Sequence, residues 1–309
     1  MFQFIPTTVN FDWLKISRPF AMASTIAVLL SFVGIFYPGL NYGIDFSGGA
    51  EVAVKAPEGW DISRLREEMS KGGIEEPTVV QLGAPQDHEF LVKVKADASA
   101  LKDVASKVEG VLKASAGEGK YEILRADVVG PQAGERLRIA AILSLIYAAI
   151  GILVYITFRF DMRFAPGIVR ALLLDIVVVV GIWVLLRKEF NLHTIAALLT
   201  IAGYSCNDTI VIYDRIREFS KLHPDWDLYR IINRSINLNL GRTIITVLCT
   251  QFVVVSLWLF GGPVLADFAF AMFLGFTVSV YSTLFVANPL ILYMEKRRQA
   301  ARRSQVVTA

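Results

Sequence analysis

Six stretches of the chain run for about twenty residues with few charged positions: Phe20–Tyr37, Leu137–Phe158, Ala165–Leu186, Thr194–Tyr213, Gly241–Phe260 and Ala266–Met294. At 1.5 Å of rise per residue, twenty residues make about 30 Å of helix, which matches the hydrocarbon core of a bilayer. They predict six membrane-spanning helices. Between the first and second of them the pattern changes. AEVAVKA alternates with period two and predicts a strand, and DISRLREEMSKGG predicts a capped amphipathic helix stopped by glycines. PTVVQLG and EFLVKVK are strands, SALKDVASKVEGVLKAS a helix and YEILRADVVG a last strand. The order β-α-β-β-α-β is that of the split βαβ, ferredoxin-like arrangement, which hosts many functions and identifies none.

The predicted fold class is an α-helical polytopic membrane protein with six transmembrane helices and an external α+β ferredoxin-like domain between the first and second helices. The boundaries are an N-terminal segment at 1–19, a first helix at 20–39, the α+β domain at 40–136, helices two to six within 137–294 and a basic tail at 295–309. The end of the first helix, IFYPGLNYG, lacks a small-x-small cleavage pattern, so it reads as an uncleaved anchor.

Lysine and arginine set the orientation. Lys15, Arg18, Arg159 and Arg163 share one side with the residues between Arg215 and Arg242 and with the tail from Lys296 to Arg303. The short loops of the other side hold only Arg187 and Lys188. Both termini are therefore expected in the cytoplasm, and an even number of crossings follows. The α+β domain, with 12 basic and 17 acidic residues over 41–136, is a long translocated segment and escapes the charge rule. The stretch Asp214–Asn239 mixes arginines with isoleucines, Trp226 and Tyr229, and reads as an amphipathic helix along the membrane surface or against a partner.

Composition agrees. Hydrophobic residues are 54% and charged residues 19% of the 309, apolar enough to exclude a disordered tail, a collagen-like repeat or a disulfide scaffold. A net charge of +3, with basic residues in short runs beside apolar segments, makes no case for nucleic acid as a partner. Cys206 and Cys249 both lie in apolar segments, and His88, His193 and His223 are scattered, so neither a disulfide nor a metal site is predicted.

Candidate chemistry lies inside the spans, where ionisable groups are costly. Asp175 sits in LLLDIVVVV, with only apolar neighbours, so its partner must come from another helix. Asp208 sits in GYSCNDTIVIYDR beside Tyr204, Ser205, Asn207 and Thr209, a polar cluster suited to a wet cavity. Arg242 opens the fifth span in NLNLGRTIITVL. Counting inward from Arg215 and Arg234 puts Asp208 and Arg242 at the same depth, roughly 10–12 Å in. Opposite charges meeting there would hold one another ionised. Asp214 and Arg215 are anchors at the headgroup level, and Asn288-Pro289 marks a local break in the last span. The three glycines Gly43, Gly48 and Gly49 around Asp45 and Ser47 predict a hinge between the first span and the external domain.

These motifs resemble the SecD/SecF family of bacterial protein-export membrane proteins, on the side of its smaller, SecF-type members. NYGIDFSGGAE is similar to the family's GIDF-GG motif, IAGYSCNDTIVIYDRIRE to its G-Y-S-x-N-D-T segment, and NRSINLNLGRTIIT to its N-R-T-I-N-x-x-x-x-R-T segment. LFGG before the last span fits as well. Leu174 departs from the family's usual histidine, and Ser279-Val280 from its usual Gly-Thr pair.

The resemblance implies an auxiliary subunit of the Sec translocase that pairs with SecD and associates with the SecYEG channel and YajC. It would use the proton-motive force in late steps of moving a translocating polypeptide across the bacterial inner membrane, with no cofactor. The resemblance also ties Asp208 and Arg242 to proton conduction. It makes the chain one six-helix half of a twelve-helix unit of the resistance-nodulation-division superfamily.

Half of a small-molecule or lipid exporter of that superfamily is the alternative. An intramembrane aspartyl protease built on Asp175 and Asp208 would need a G-x-G-D motif, which the chain does not contain. No P-loop is present either, so energy must come from an ion gradient or a partner.

The topology is testable by cysteine labelling. Probes at Lys95–Ala98 should react with impermeant reagents from outside, and probes at Leu222–Asp227 only from the cytoplasm. The reverse pattern would overturn the orientation.

Overall fold

A computed structural model describes residues 10–74, 77–83, 85–94, 101–117, 119–159 and 164–307. Arg163, the Lys95–Ala98 segment and the first nine residues of the N-terminal segment lie outside the described residues.

Helix α1 (Trp13–Phe36) begins at Asp12, whose carboxylate accepts from the Lys15 amide at 3.2 Å. A two-residue strand β1 (Asn41–Tyr42) and a single helical turn α2 (Ile44–Ser47) lead into the α+β unit. Its elements are β2 (Gly49–Lys55), α3 (Ile62–Lys71), β3 (Thr78–Leu82), β4 (Glu89–Val94), α4 (Leu101–Ala116) and β5 (Glu122–Val129). The sheet order is β3-β4-β2-β5 with every pair antiparallel. Val52, Val54, Phe90 and Val92 from the strands meet Leu65 and Met69 of α3 and Val108 and Leu112 of α4 in one dry core. Alternation of apolar residues along β2 and β4 makes this possible, because period two puts them all on one face.

The membrane part follows as α5 (Pro131–Arg159), α6 (Ala165–Leu185), strand β6 (Glu189–Phe190), α7 (Leu192–Leu222), α8 (Leu228–Phe260), α9 (Gly262–Ser282) and α10 (Asn288–Val307). Among the described residues six helical spans are long and apolar enough to cross a bilayer, the last running through α9 and into α10. More than half of the apolar window is buried in α6, α7 and the last span, whereas α1, α5 and α8 leave most of theirs uncovered. The bundle therefore has three inner and three outer spans.

Small residues set how closely the helices approach, because lipid supplies no hydrophobic drive for helix association. A methyl group added at Gly181 of α6 would lie 2.1 Å from the Ser31 hydroxyl of α1, and one at Gly275 of α9 would lie 2.3 Å from Ile201 of α7.

Between α9 and α10 the chain makes a π-helical turn, Thr283–Ala287. The break announced by Asn288-Pro289 is this turn. Proline has no N–H for the preceding helix, and beside it the Asn288 side-chain amide donates to the Thr283 carbonyl at 2.7 Å. Helix α7 grips the turn at two points one helical turn apart: Thr209 and Thr283 share a hydroxyl hydrogen bond of 2.8 Å, and the Tyr213 hydroxyl donates to the Ala287 carbonyl at 3.0 Å.

One expectation is corrected. Asp214–Asn239 is not a separate helix on the membrane surface. Its first part extends α7 to Leu222, its last part begins α8 at Leu228, and only a short turn joins them. The arginine and isoleucine pattern that resembles a surface helix instead buries Ile231, Ile232 and Ile236 against Ile212, Tyr213 and Ile216. The same part of α8 clamps the start of α1. Asn233 accepts from the Trp13 amide at 2.9 Å, Asn237 accepts from the Phe11 amide at 3.0 Å and donates to the Phe11 carbonyl at 2.8 Å, and Tyr229 donates to Asp12 at 2.5 Å.

The grip on the π turn can be tested at Gly167, where an added methyl would lie 2.1 Å from the Tyr213 hydroxyl. Gly167→Ala should cost about 1–3 kcal/mol of stability, the range for overpacking. Tyr213→Phe, which removes the obstructing oxygen, should recover part of that loss in the double variant. Thermal unfolding in detergent reads both, and an additive double variant would refute the contact.

Candidate functional site

The sequence-predicted polar residues converge on one face of α7, in the interior of the bundle. Asp175 projects from α6 and is completely buried, at 0% exposure. Its partner does come from another helix: the Ser205 hydroxyl of α7 donates to its Oδ2. Its Oδ1 has no hydrogen-bond partner among the described residues. Ser282 of α9 stands beside it, but the Ser282 hydroxyl donates to the Ser279 carbonyl at 3.0 Å.

Asp208 lies three residues beyond Ser205 on the same face and is 6% exposed. Its Oδ2 is likewise buried without a hydrogen bond. The Arg242 guanidinium of α8 acts on it electrostatically, yet the two make no direct ion pair, and Arg242 lies on the exposed side of α8. Matching depth therefore brings the two charges near each other without joining them. Thr209 is buried and turned to the π turn.

Asn207 is the exception among the predicted cluster. It is exposed on the outer face of α7, away from Ser205 and Asp208. Two positions along a helix are about 200° apart, so Ser205 and Asn207 cannot share a face.

This arrangement holds two carboxylates on adjacent helices, bordered by hydroxyls from α7 and α9. On the last span, Ser279 Oγ and Asn288 Oδ1 are also buried without partners among the described residues. Buried polar atoms without protein partners are normally served by water. The chemistry open to such a site is uptake and release of a proton, relayed by hydroxyls.

The glycine-rich segment forms a second site at the other end of α7. Strand β1 pairs in parallel with β6, and the Gly43 amide donates to the Phe190 carbonyl at 2.9 Å. Asp45 accepts from the Leu192 amide, the first residue of α7, at 2.9 Å. Gly48 and Gly49 have φ of 79° and 151°, values that residues with a side chain rarely adopt. A methyl at Gly48 would stand 3.0 Å from Pro131, and one at Gly49 would stand 2.5 Å from the Val94 carbonyl. Here the glycines permit close backbone contact between the α+β unit, α5 and α7.

Residues that the sequence did not single out complete this junction. Lys93 of β4 reaches Glu189 beside α7 at 2.7 Å and Glu51 of β2 at 3.2 Å. Burial opposes its charge, but hydrogen bonding and attraction from Glu189, with a smaller contribution from Glu51, prevail and hold the ammonium above the ordinary lysine value. The stabilisation is therefore complete below the normal lysine pKa and is lost as the pH rises through the raised one. On the same side, Lys188 pairs with Asp267 of α9 at 2.5 Å. Local sequence contains no signal for Lys93, since its partner Glu189 lies 96 residues away.

Lys93→Met should loosen the contact between the α+β unit and α7. Amide hydrogen exchange at Phe190–Leu192 should rise severalfold while exchange in the sheet core stays unchanged. Unchanged exchange at both places would show that the bridge holds nothing.

Comparison with known proteins follows the same lines. The family model for the C-terminal part of protein export membrane proteins SecD/SecF matches residues 108–297, and the SecD/SecF GG motif matches residues 33–56. The protein translocase subunit SecF of Magnetococcus marinus is 41% identical, over 94% of this chain and 95% of its own length. That of Calditerrivibrio nitroreducens is 37% identical over 96% of this chain and 98% of its own. The crystal structure of SecDF from Thermus thermophilus, described as a translocon-associated membrane protein, superposes with a TM-score of 0.82 at 34% identity. It is a longer chain: the match covers 94% of this chain and 40% of that one. Six membrane-spanning helices, the glycine turn seated on α7 and matches along nearly the whole length all agree: the chain is a multi-pass membrane protein that belongs to the SecD/SecF family.

Proposed function

We propose that this chain is an auxiliary subunit of the protein-export machinery which, with a SecD partner, uses the proton-motive force in late steps of export. The observation that carries this reading is Asp208. It is a buried carboxylate with an unpartnered oxygen near the middle of α7, in a chain similar from end to end to subunits named for protein translocation.

A proton arriving at Asp208 cancels its attraction to Arg242 and changes what α7 and α8 gain by lying together. Asp175, tied to Ser205 one turn away, is a second proton acceptor on the same route. Ser205 and Thr209 support the relay; Asn207, on the outer face, serves the side that meets a partner. Helix α7 is continuous from Asp208 to Leu192, so a shift of α7 reaches Asp45 and the turn Gly43–Gly49 directly. That turn is the hinge through which the membrane part moves the α+β domain. The domain stands on the periplasmic side of the inner membrane, both termini are cytoplasmic, and SecYEG, YajC and the translocating polypeptide are the further partners.

Asp208→Asn keeps the shape and removes the titratable group. Export into reconstituted vesicles under an imposed proton gradient should fall to the level seen with no gradient, with assembly unchanged. Arg242→Lys keeps the charge but loses the planar donor fork, and should leave a partial response. A well-assembled Asp208→Asn protein with normal gradient-stimulated export would end this mechanism. A sodium gradient in place of the proton gradient separates the two ions.

A further inference from the structure

The outer side of the bundle carries a groove of about 650 Å³ between α1 and α5, floored by α6. Val28, Leu29 and Phe32 of α1, Leu153 of α5, and Leu173 and Val177 of α6 line it. Its hydroxyls are already used: Ser24 and Thr25 both donate to the Ala21 carbonyl of their own helix, at 2.8 and 2.9 Å. The remaining polar group is Arg170. It is exposed and forms no ion pair or hydrogen bond among the described residues. It lies five residues into α6, about 7.5 Å along the axis from the helix start, a depth from which an arginine reaches the interface.

We infer that this groove binds one anionic phospholipid, with an acyl chain laid along α6 and the phosphate held by Arg170. Three features favour a lipid over other occupants. The volume falls in the range of ligand-binding pockets, and the lining is apolar except for Arg170 and the two hydroxyls already bonded to their own helix. Arg170, free among the described residues, stands little more than one turn in from the start of α6, where a headgroup would lie when the chain follows the groove inward toward Val177. Basic pockets between spans are a general means of holding anionic headgroups. A zwitterionic lipid fits the apolar part equally well but gains less from an unpaired guanidinium, so the groove should select by headgroup charge. Because Leu174 of the floor precedes Asp175, an occupied groove packs the outer side of the helix that carries the deepest carboxylate.

The test uses the full chain in vesicles of equimolar phosphatidylglycerol and phosphatidylcholine with identical acyl chains. After gentle extraction, native mass spectrometry counts the lipids retained. The wild type should keep one phosphatidylglycerol with about a fivefold preference, the effect of one basic residue near a membrane surface. Arg170→Lys should keep the preference and Arg170→Gln should bring it to parity. Leu173→Trp, which fills the groove, should lose the bound lipid of either class. Equal retention of both lipids by the wild type would overturn the proposal and leave the groove to a helix of a partner chain. A preference that survives in Arg170→Gln or Leu173→Trp would place the lipid elsewhere and overturn it too. Should Arg170→Gln fail to accumulate, wild type, Arg170→Lys and Leu173→Trp decide between the same outcomes.

Discussion

Inside the hydrocarbon region lipid completes no hydrogen bond of a polar group, so each one must find its partner within the protein or in a water buried there. Helix α7 is built around that constraint. Along one face, Ser205 serves Asp175 of α6, Thr209 serves Thr283 of the π turn, and Tyr213 serves the Ala287 carbonyl. These bonds place α6 and the last span on α7 in a single register, because each pairs a group at one level with a group at the same level on a neighbour. Gly167 exists to admit Tyr213, and Gly275 to admit Ile201. The inner three spans thus form a polar-stitched core, around which α1, α5 and α8 are arranged.

The exceptions to this constraint include the two carboxylates on which the proposed function rests. Among the buried polar atoms of the described residues that lack a partner, one oxygen of Asp175 and one of Asp208 are the two that belong to carboxylates. Leaving a buried carboxylate unpaired is costly, and such groups inside membranes are retained where ions or protons pass. Arg242 sits close enough to influence Asp208 and too far to neutralise it by contact. A direct ion pair would hold the carboxylate in one state, whereas a nearby, unjoined charge leaves it responsive.

The same helix connects this site to the α+β domain. Its first amide is held by Asp45, and the strand just before it pairs with β1. Lys93 adds a bridge from the sheet to Glu189. Helix α7 carries no proline and is unbroken between Asp208 and Leu192. At the opposite end, Asn233 and Asn237 of α8 fasten the start of α1, which keeps an outer span in place although most of its surface is uncovered.

Much of this was legible in the sequence, for reasons that are local. A run of twenty apolar residues has one physical outcome in a bilayer, and so all six spans are readable from hydropathy alone. Asp175, Asp208 and Arg242 stand out because a charge among apolar neighbours is costly wherever the helices go. Periodicity also marks the strands and helices of the α+β unit. Three things depended on the tertiary structure. The Asp214–Asn239 stretch has the pattern of a surface helix, but the same isoleucines serve equally to pack two long helices together, and only the neighbours decide. Asn207 is adjacent to Asp208 in sequence and opposite to Ser205 in space, since a helix turns about 100° per residue. The Lys93–Glu189 bridge joins positions 96 residues apart, and no local pattern records a contact that exists only once the sheet is seated on α7. Sequence determines what each segment must do with its own apolar and polar atoms; which distant atoms complete them is decided when the segments pack.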